Sequence, residues 1–332
     1  MRVVLGKTLL LCVLACPLFC LAQRTYKPSS VLAAGNWFKI SVGDEGIYKV
    51  DVAFLNSLGI TGSIPSAQIR LLGNGGGMLP ESNSEKPADD LEENAIWIND
   101  GGDGTLNGTD YFLFYAQGPH HWQKDSANKR FTHQKNLYSE KSFYYISVGG
   151  NGLRIATQTN ASTASTTVTS FDERYFHELD TVNFLASGKE WYGEEFSSAP
   201  GRVLNRSFTL PFNNISSNQA TIITKVAARS VNQPSRFNVS VNGAPLQQID
   251  IPQISAVIYD LFAQESQRTD VSFLNQSSAT IAFNYVPGSF NSQGWLNWFE
   301  FFCRRNLSMA IGMGRLRGSK ARNSTTPCTT TR

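Results

Sequence analysis

The first readable pattern is alternation. Phe38, Ile40 and Val42 alternate with Lys39 and Ser41, Gly43-Asp44-Glu45-Gly46 supplies a turn, and an apolar run returns over 47–50. Period-two alternation around a glycine-rich turn predicts a β-hairpin. Asp51 then stands before Phe54, Leu55 and Leu58 at helical spacing, with Gly59 behind them, so a short capped helix is expected over 51–58. Strands are predicted at 69–72, 94–98, 111–115 and 143–148, all rich in aromatic or β-branched residues. Residues 156–169 are Ser/Thr-rich with nothing large to bury and read as a linker or long loop.

Beyond about residue 185 the pattern becomes one of short strands and turns: 207–212, 221–227, 236–242, 271–275, 280–286 and 296–303. Phe237, Val239 and Val241 alternate before Asn242-Gly243, and Ile281, Phe283 and Tyr285 before Pro287-Gly288. Many short strands with scarcely a helix predict an antiparallel sandwich, jelly-roll or Ig-like. The expected fold class is therefore mainly β: two antiparallel β domains, the second a sandwich, with one or two short helices. The expected division is 1–22, 23–170, 171–306 and 307–332.

The first segment changes the compartment. Residues 1–22 carry Arg2 and Lys7, then an uncharged apolar run over 9–19, then Cys20-Leu21-Ala22. This is the layout of a secretory signal peptide, and the run is too short to span a bilayer. Cleavage after Ala22 is expected, ahead of lipidation at Cys20, because Phe19 is too large for a lipoprotein signal. The chain is thus expected to be exported, to the periplasm or the outer-membrane surface. Cys12, Cys16 and Cys20 leave with the signal, and Cys303 and Cys328 are too few for a disulfide framework or a four-thiolate zinc site.

Charge separates the body from its ends. The 332 residues have a formal net charge of +3, yet residues 23–303 hold 20 basic against 26 acidic side chains. An acidic body is a poor partner for a phosphate backbone, so no nucleic acid is expected. Residues 304–332 carry seven Lys/Arg and no acid. Three readings apply to that basic tail: a membrane- or nucleic-acid-binding segment, a disordered terminus, or a frame change in the gene.

Four groupings are candidates for chemistry. The run Asn99–Asp110 has the cadence of a calcium loop, with Asp103, Asn107 and Asp110 as metal ligands. Gly101 leaves one ligand position empty, and a plain Gly/Asp turn is the alternative. His120, His121 and His133 invite a zinc reading, but adjacent imidazoles point apart and no thiolate is near; solvated or hydrogen-bonded histidines are expected. Asp172, Glu173, Glu178, Asp180, Glu190, Glu194 and Glu195 enclose Trp191 and Tyr192, which suits either a charged loop or a sugar-binding face. Cys303 with His177 is the one tempting nucleophilic pair, and Cys303 sits among Phe299, Phe301 and Phe302, where an inert core thiol is expected.

The order of several stretches adds a resemblance. Trp37-Phe38-Lys39-Ile40-Ser41-Val42 through Glu45-Gly46-Ile47-Tyr48-Lys49-Val50 comes first, then Leu58-Gly59-Ile60. Asp103-Gly104 through Asn107 leads to Asp110-Tyr111-Phe112-Leu113-Phe114-Tyr115, Gln117-Gly118-Pro119 and Trp122. Asn136-Leu137-Tyr138-Ser139, Tyr144-Tyr145, 188–196, Gly294-Trp295-Leu296-Asn297-Trp298 and Arg304-Arg305-Asn306-Leu307 complete the series. Over residues 23–308 the chain resembles the N-terminal region of the PorU family of type IX secretion sortases, relatives of the gingipain cysteine peptidases. The resemblance implies an outer-membrane surface location and a role in removing C-terminal sorting domains from cargo and joining the cargo to surface lipopolysaccharide. In that family a Cys/His pair on a downstream caspase-like domain does the chemistry. No residue here matches that motif, so the expected catalytic set is empty and the chain alone is expected to be inactive. The implied partners are the downstream catalytic domain, outer-membrane secretion proteins and cargo bearing sorting domains. The resemblance fades at about Met309, which favours the frame change for the tail. From a different class, a secreted carbohydrate-binding or adhesive β-sandwich is the alternative, with 188–196 as its face.

Overall fold

The computed structural model describes residues 26–128, 130–159, 166–184, 188–257 and 259–307. The expected signal peptide at 1–22, the tail from 308 with Cys328, and part of the Ser/Thr-rich stretch lie outside them. Among the described residues there are twenty strands and one α-helix. In chain order the strands are β1 (Phe38–Val42), β2 (Gly46–Asp51), β3 (Ile64–Pro65), β4 (Ile69–Leu72), β5 (Glu93–Asn94), β6 (Trp97–Asn99), β7 (Thr105–Leu106), β8 (Tyr111–Ala116), β9 (His121–Asp125) and β10 (Arg130–Gln134). They continue with β11 (Ser142–Val148), β12 (Ser170–Glu178), β13 (Glu195–Ser197), β14 (Asn205–Thr209), β15 (Ile215–Arg229), β16 (Ser235–Val241), β17 (Ala244–Ile251), β18 (Gln264–Phe273), β19 (Thr280–Val286) and β20 (Gln293–Asn306). The protein is mainly β, and every named strand pairing is antiparallel.

The chain forms two compact units. The first comprises residues up to His120 together with 138–156. It holds the sheets β1-β11-β4-β5 and β2-β8-β6 and the small pair β3-β7. Helix α1 (Val52–Ser57) is capped as its sequence requires: Asp51 Oδ1 accepts from Phe54 N at 2.9 Å. Gly59 follows at φ +89°, the left-handed conformation that ends helices. Leu55 of α1 is buried with Val50, Phe112, Phe114 and Ile146 in the core of this unit.

One expectation fails here. Residues 37–50 do form two strands with a turn, but they are not a hairpin. β1 pairs with β11 and β2 pairs with β8, in registers of five and six residues. Each strand gains a longer partner that way, and β8 brings Phe112 and Phe114 to the core. Tyr48 Oη donates to Asp44 O at 2.9 Å and holds the bend at the point where the chain changes sheets. The strand expected at 94–98 is also broken: Ile96, fully buried, leaves the ladder to bridge Arg154 in parallel.

The second unit comprises 121–137 and the chain from 157 onward. It is a β-sandwich. One sheet runs β12-β20-β15-β18, with β13 also on β20; the other runs β14-β19-β16-β17. Alternating side chains from both sheets meet in one core that contains Ile222, Val226, Phe237, Ile281, Phe283, Phe299 and Phe301. Gly294 allows the sheets to close: a Cβ there would lie 2.7 Å from the Phe237 ring and 2.8 Å from the Tyr285 ring. Asn242 and Gly243, both at positive φ, make the predicted turn between β16 and β17. The hairpin β9–β10 falls early in the sequence yet belongs to this unit.

Candidate functional site

The outward face of the sheet β12-β20-β15-β18 follows from its register. Residues opposite one another in a ladder point to the same side. One row is therefore Glu178, Trp298, Lys225 and Gln267. The next is Phe176, Glu300, Ile223 and Thr269, and the third Arg174, Phe302, Thr221 and Val271. The alternate residues Tyr175, His177, Phe299, Phe301 and Cys303 face the sandwich core.

The hairpin β9–β10 covers part of this face. The Trp122 ring lies edge-on to Phe176 and Phe302, and the His133 ring lies 3.8 Å from that of Phe176. Arg174 reaches over both Trp122 and Phe131. Beside the hairpin the face opens into a groove of about 370 Å³, lined by Lys135, Phe176, Glu178, Glu190, Trp298 and Glu300 among others.

The carboxylates singled out in the sequence lie on or near this sheet, and most are paired. Glu173, 2% exposed, accepts from Arg305 at 2.5 Å. Asp172 pairs with Arg304 at 2.8 Å, and Glu194 shares a hydrogen bond with His177 Nε2 at 2.7 Å. Glu190 Oε1 accepts from Lys225 Nζ at 2.8 Å and Asn297 Nδ2 at 2.6 Å. Burial pushes the Glu190 carboxyl up, but the bonds from Lys225 and Asn297 outweigh it and hold it below the ordinary range. Lys225 also lies 3.2 Å from Glu265, and its ammonium is held up by the two carboxylates despite burial. Tyr192 donates to Glu265, and burial together with that acceptor raises its phenol.

Two carboxyls are less well matched. Lys135 Nζ sits 2.5 Å from Asp180 but 3.6 Å from Glu178. Burial raises the Glu178 carboxyl above its ordinary range; Lys135 opposes this and Asp180 adds to it. Glu300, 6% exposed, accepts the His133 backbone N–H at 3.3 Å and has no ion pair among the described residues. Burial pushes its carboxyl up to about 7, against smaller opposing effects of that N–H and of Arg130. Glu300 was not among the sequence candidates. The signal available was a lone acid inside the run Trp298–Cys303, where alternation alone places it away from the core.

The two aromatics of the 188–196 segment differ in exposure. Trp191 is half-exposed, but Tyr192 is buried and stacks on Phe184 at 4.2 Å. Of the two aromatics expected in a sugar-binding face, Tyr192 is used in folding and Trp191 stays half-exposed. The expected charged loop is likewise replaced in part by strand β12, which covers 170–178.

The Cys/His combination does not form. Cys303 is buried opposite Glu173, whereas His177 lies opposite Phe299 and stacks on it. Of the zinc candidates, His120 faces Glu140 at 3.2 Å and His133 is taken up by Phe176. Among the described residues no group of three or more His, Cys, Asp or Glu is placed to hold a metal ion.

The residues expected to bind calcium lie together in the 99–110 loop. Asp103 Oδ1 accepts from Thr105 N at 2.8 Å and Thr105 Oγ1 at 2.9 Å, while Oδ2 accepts from Asn107 Nδ2 at 3.3 Å. Asp110 Oδ2 accepts from Asn107 N at 2.9 Å. The loop is thus a series of side-chain-to-backbone turns. The bonds from Thr105 hold the Asp103 carboxyl below its ordinary range.

No protein-family model and no curated protein matches the chain. A solved structure does: dimeric latent PorU from Porphyromonas gingivalis, at a TM-score of 0.67 and 24% identity, over 84% of this chain and 25% of that one. The fold is PorU-like. The chain spans a quarter of the length of the protein it matches. A carbohydrate-binding module solved with calcium and xylotriose aligns at a TM-score of 0.24 and 8% identity, over 40% of this chain and 99% of that one. The mosquito-larvicidal Cry4Aa toxin from Bacillus thuringiensis aligns at 0.23 and 10% identity, over 82% and 59%. No helix among the described residues is long and apolar enough to cross a membrane.

Proposed function

We propose that this chain is the exported, non-catalytic N-terminal region of a PorU-like cell-surface cysteine peptidase and sortase. In this reading it orients a catalytic domain outside this chain and offers docking surface to outer-membrane secretion proteins. The enzyme it serves removes C-terminal sorting domains from type IX cargo and attaches the cargo to surface lipopolysaccharide. The observation that carries the reading is the likeness over 84% of this chain to 25% of PorU. Supporting it, the chain's one described cysteine is sealed in the sandwich core, away from His177.

The test is a domain exchange. In a cell whose PorU-like sortase has lost the matching region, this chain fused in its place should restore surface display and removal of cargo sorting domains. A fusion that is exported and folded but restores neither would overturn the reading. So would thiol-dependent cleavage of a sorting-domain substrate by this chain alone. Selective retention on a glycan array would instead favour a carbohydrate-binding role.

A further inference from the structure

The groove on the outward face of the second unit has an unbalanced charge. Five carboxylates stand on or beside it: Glu178, Asp180, Glu190, Glu265 and Glu300. Four cations answer them: Lys189 acts on Glu190, and the other three are each held by a carboxylate. Lys135 is held by Asp180 at 2.5 Å, Lys225 by Glu190 at 2.8 Å and Glu265 at 3.2 Å, and Arg130 by Asp125 at 3.5 Å. Glu300 is left in the groove floor with one backbone N–H as its hydrogen-bond donor. A buried carboxylate without a cation is costly, and a positive group brought beside it recovers part of that cost.

The walls around Glu300 are apolar and aromatic. Phe176 flanks it on β12 and Ile223 on β15, and the Phe176 and Trp298 rings lie 6.2 Å apart with a 32° tilt. A long aliphatic stem suits such walls, and a cation near the ring faces gains a further attraction. The volume of about 370 Å³ is at the small end for a ligand site, enough for one long side chain. An anion would meet the surplus carboxylates.

We propose that this groove binds the side chain of a lysine or arginine residue from an extended peptide, the stem lying along Phe176, Ile223 and Trp298 and the cationic head at Glu300. The proposal rests on the groove alone and stands apart from the sortase reading. Burial holds Glu300 at about 7 and Glu178 above its ordinary range. A bound cation opposes both effects, so binding near neutral pH expels protons. The other groups facing the site are Arg130 and His133 from β10, Lys135 after it, Asp180, Lys189 and Glu190 beyond β12, Lys225 from β15 and Glu265 from β18.

The test uses the whole chain and four probes: N-acetylated, C-amidated Ala-Lys-Ala and Ala-Arg-Ala, the same tripeptide with norleucine at the centre, and free cadaverine. Tryptophan fluorescence and calorimetry at pH 7 in two buffers of different ionisation enthalpy read binding and proton release. The cationic peptides should bind saturably, and norleucine should weaken binding by about tenfold or more. Glu300→Gln should weaken it similarly and reduce the proton release to the share that Glu178 supplies, and Glu178→Gln should weaken it less. Absence of saturable binding up to about 10 mM overturns the proposal. So does equal affinity for the norleucine peptide, or unchanged binding in both variants. Cadaverine binding as tightly as the peptides would make the ligand a free amine and overturn the peptide assignment.

Discussion

Cys303 and His177 lie on adjacent paired strands but four rungs apart. Cys303 faces Glu173 across the ladder and His177 faces Phe299. At about 3.3 Å per residue that is roughly 13 Å, far beyond proton-transfer reach. The thiol is also buried in the sandwich core. Purified protein should therefore show no thiol-dependent peptidase turnover through this pair. Cys303→Ala should cost about 1–2 kcal/mol of stability by urea unfolding and leave peptide hydrolysis at background.

The Arg305–Glu173 pair should be a major determinant of stability. Glu173 is almost fully buried, and Arg305 also donates to Asn213 O at 2.6 Å and lies over Phe171 and Phe212. Arg305→Met removes the cation and keeps the stem. Taking the Arg305 cation away from this buried carboxylate should cost about 3–5 kcal/mol, measured by equilibrium denaturation at pH 7.

Glu300 gives stability a pH dependence of definite sign. Its folded-state carboxyl titrates at about 7, above the ordinary glutamate value of 4.5. Below that ordinary value both states are protonated and the group contributes nothing. As pH rises toward 7 the unfolded chain ionises first, so stability falls through that window and then levels off. Glu300→Gln should be near neutral at pH 4 and stabilising by up to about 3 kcal/mol at pH 8, seen as a rising difference in urea midpoint.

Gly294→Ala should disrupt the sandwich. The added methyl meets the buried rings of Phe237 and Tyr285, with no flexible side chain able to move aside. A loss of about 1–3 kcal/mol is expected, with the near-ultraviolet circular dichroism altered before the far-ultraviolet signal.

The 99–110 loop separates two roles for Asp103. Its carboxylate ties Thr105 and Asn107, so Asp103→Ala should lower Tm in EDTA. If calcium binds at Asp103, Asn107 and Asp110, calcium should raise the Tm of the native chain, and the variant should lose that rise as well. Equal losses in calcium and EDTA would leave the loop a plain turn.

The legible parts of the fold were those where one side of a strand is buried. Phe237, Val239 and Val241, and Ile281, Phe283 and Tyr285, alternate cleanly because each has solvent or polar neighbours opposite. β12 was hidden because its outward face carries Arg174 and Glu178, and its inward Tyr175 and His177 are amphipathic. β18 was displaced toward 271–275 because its first half, Gln264–Asp270, is an edge built of charged and polar residues. β9 and β10 were missed since His121, Trp122, Phe131 and His133 make contact from a hairpin, not from a patterned strand in a sheet. The groove was only half visible: the sequence marks Glu178 and Glu190, but strand register brings Glu178 to Trp298 and Lys225 beside Glu300, and hydrogen bonds from Lys225 and Asn297 bring in Glu190.

β20 holds three strands at once: β12, β13 and β15 all pair with it, and it follows every one of them in the chain. A polypeptide emerging from its N-terminal end can pair β15 with β18, but β12 and β13 wait for their ladder partner until β20 has appeared. Pairings of such long sequence separation form late and slowly. During synthesis this half of the protein stays unlatched. It closes in a single late step, when its central strand is the last of the described strands to arrive.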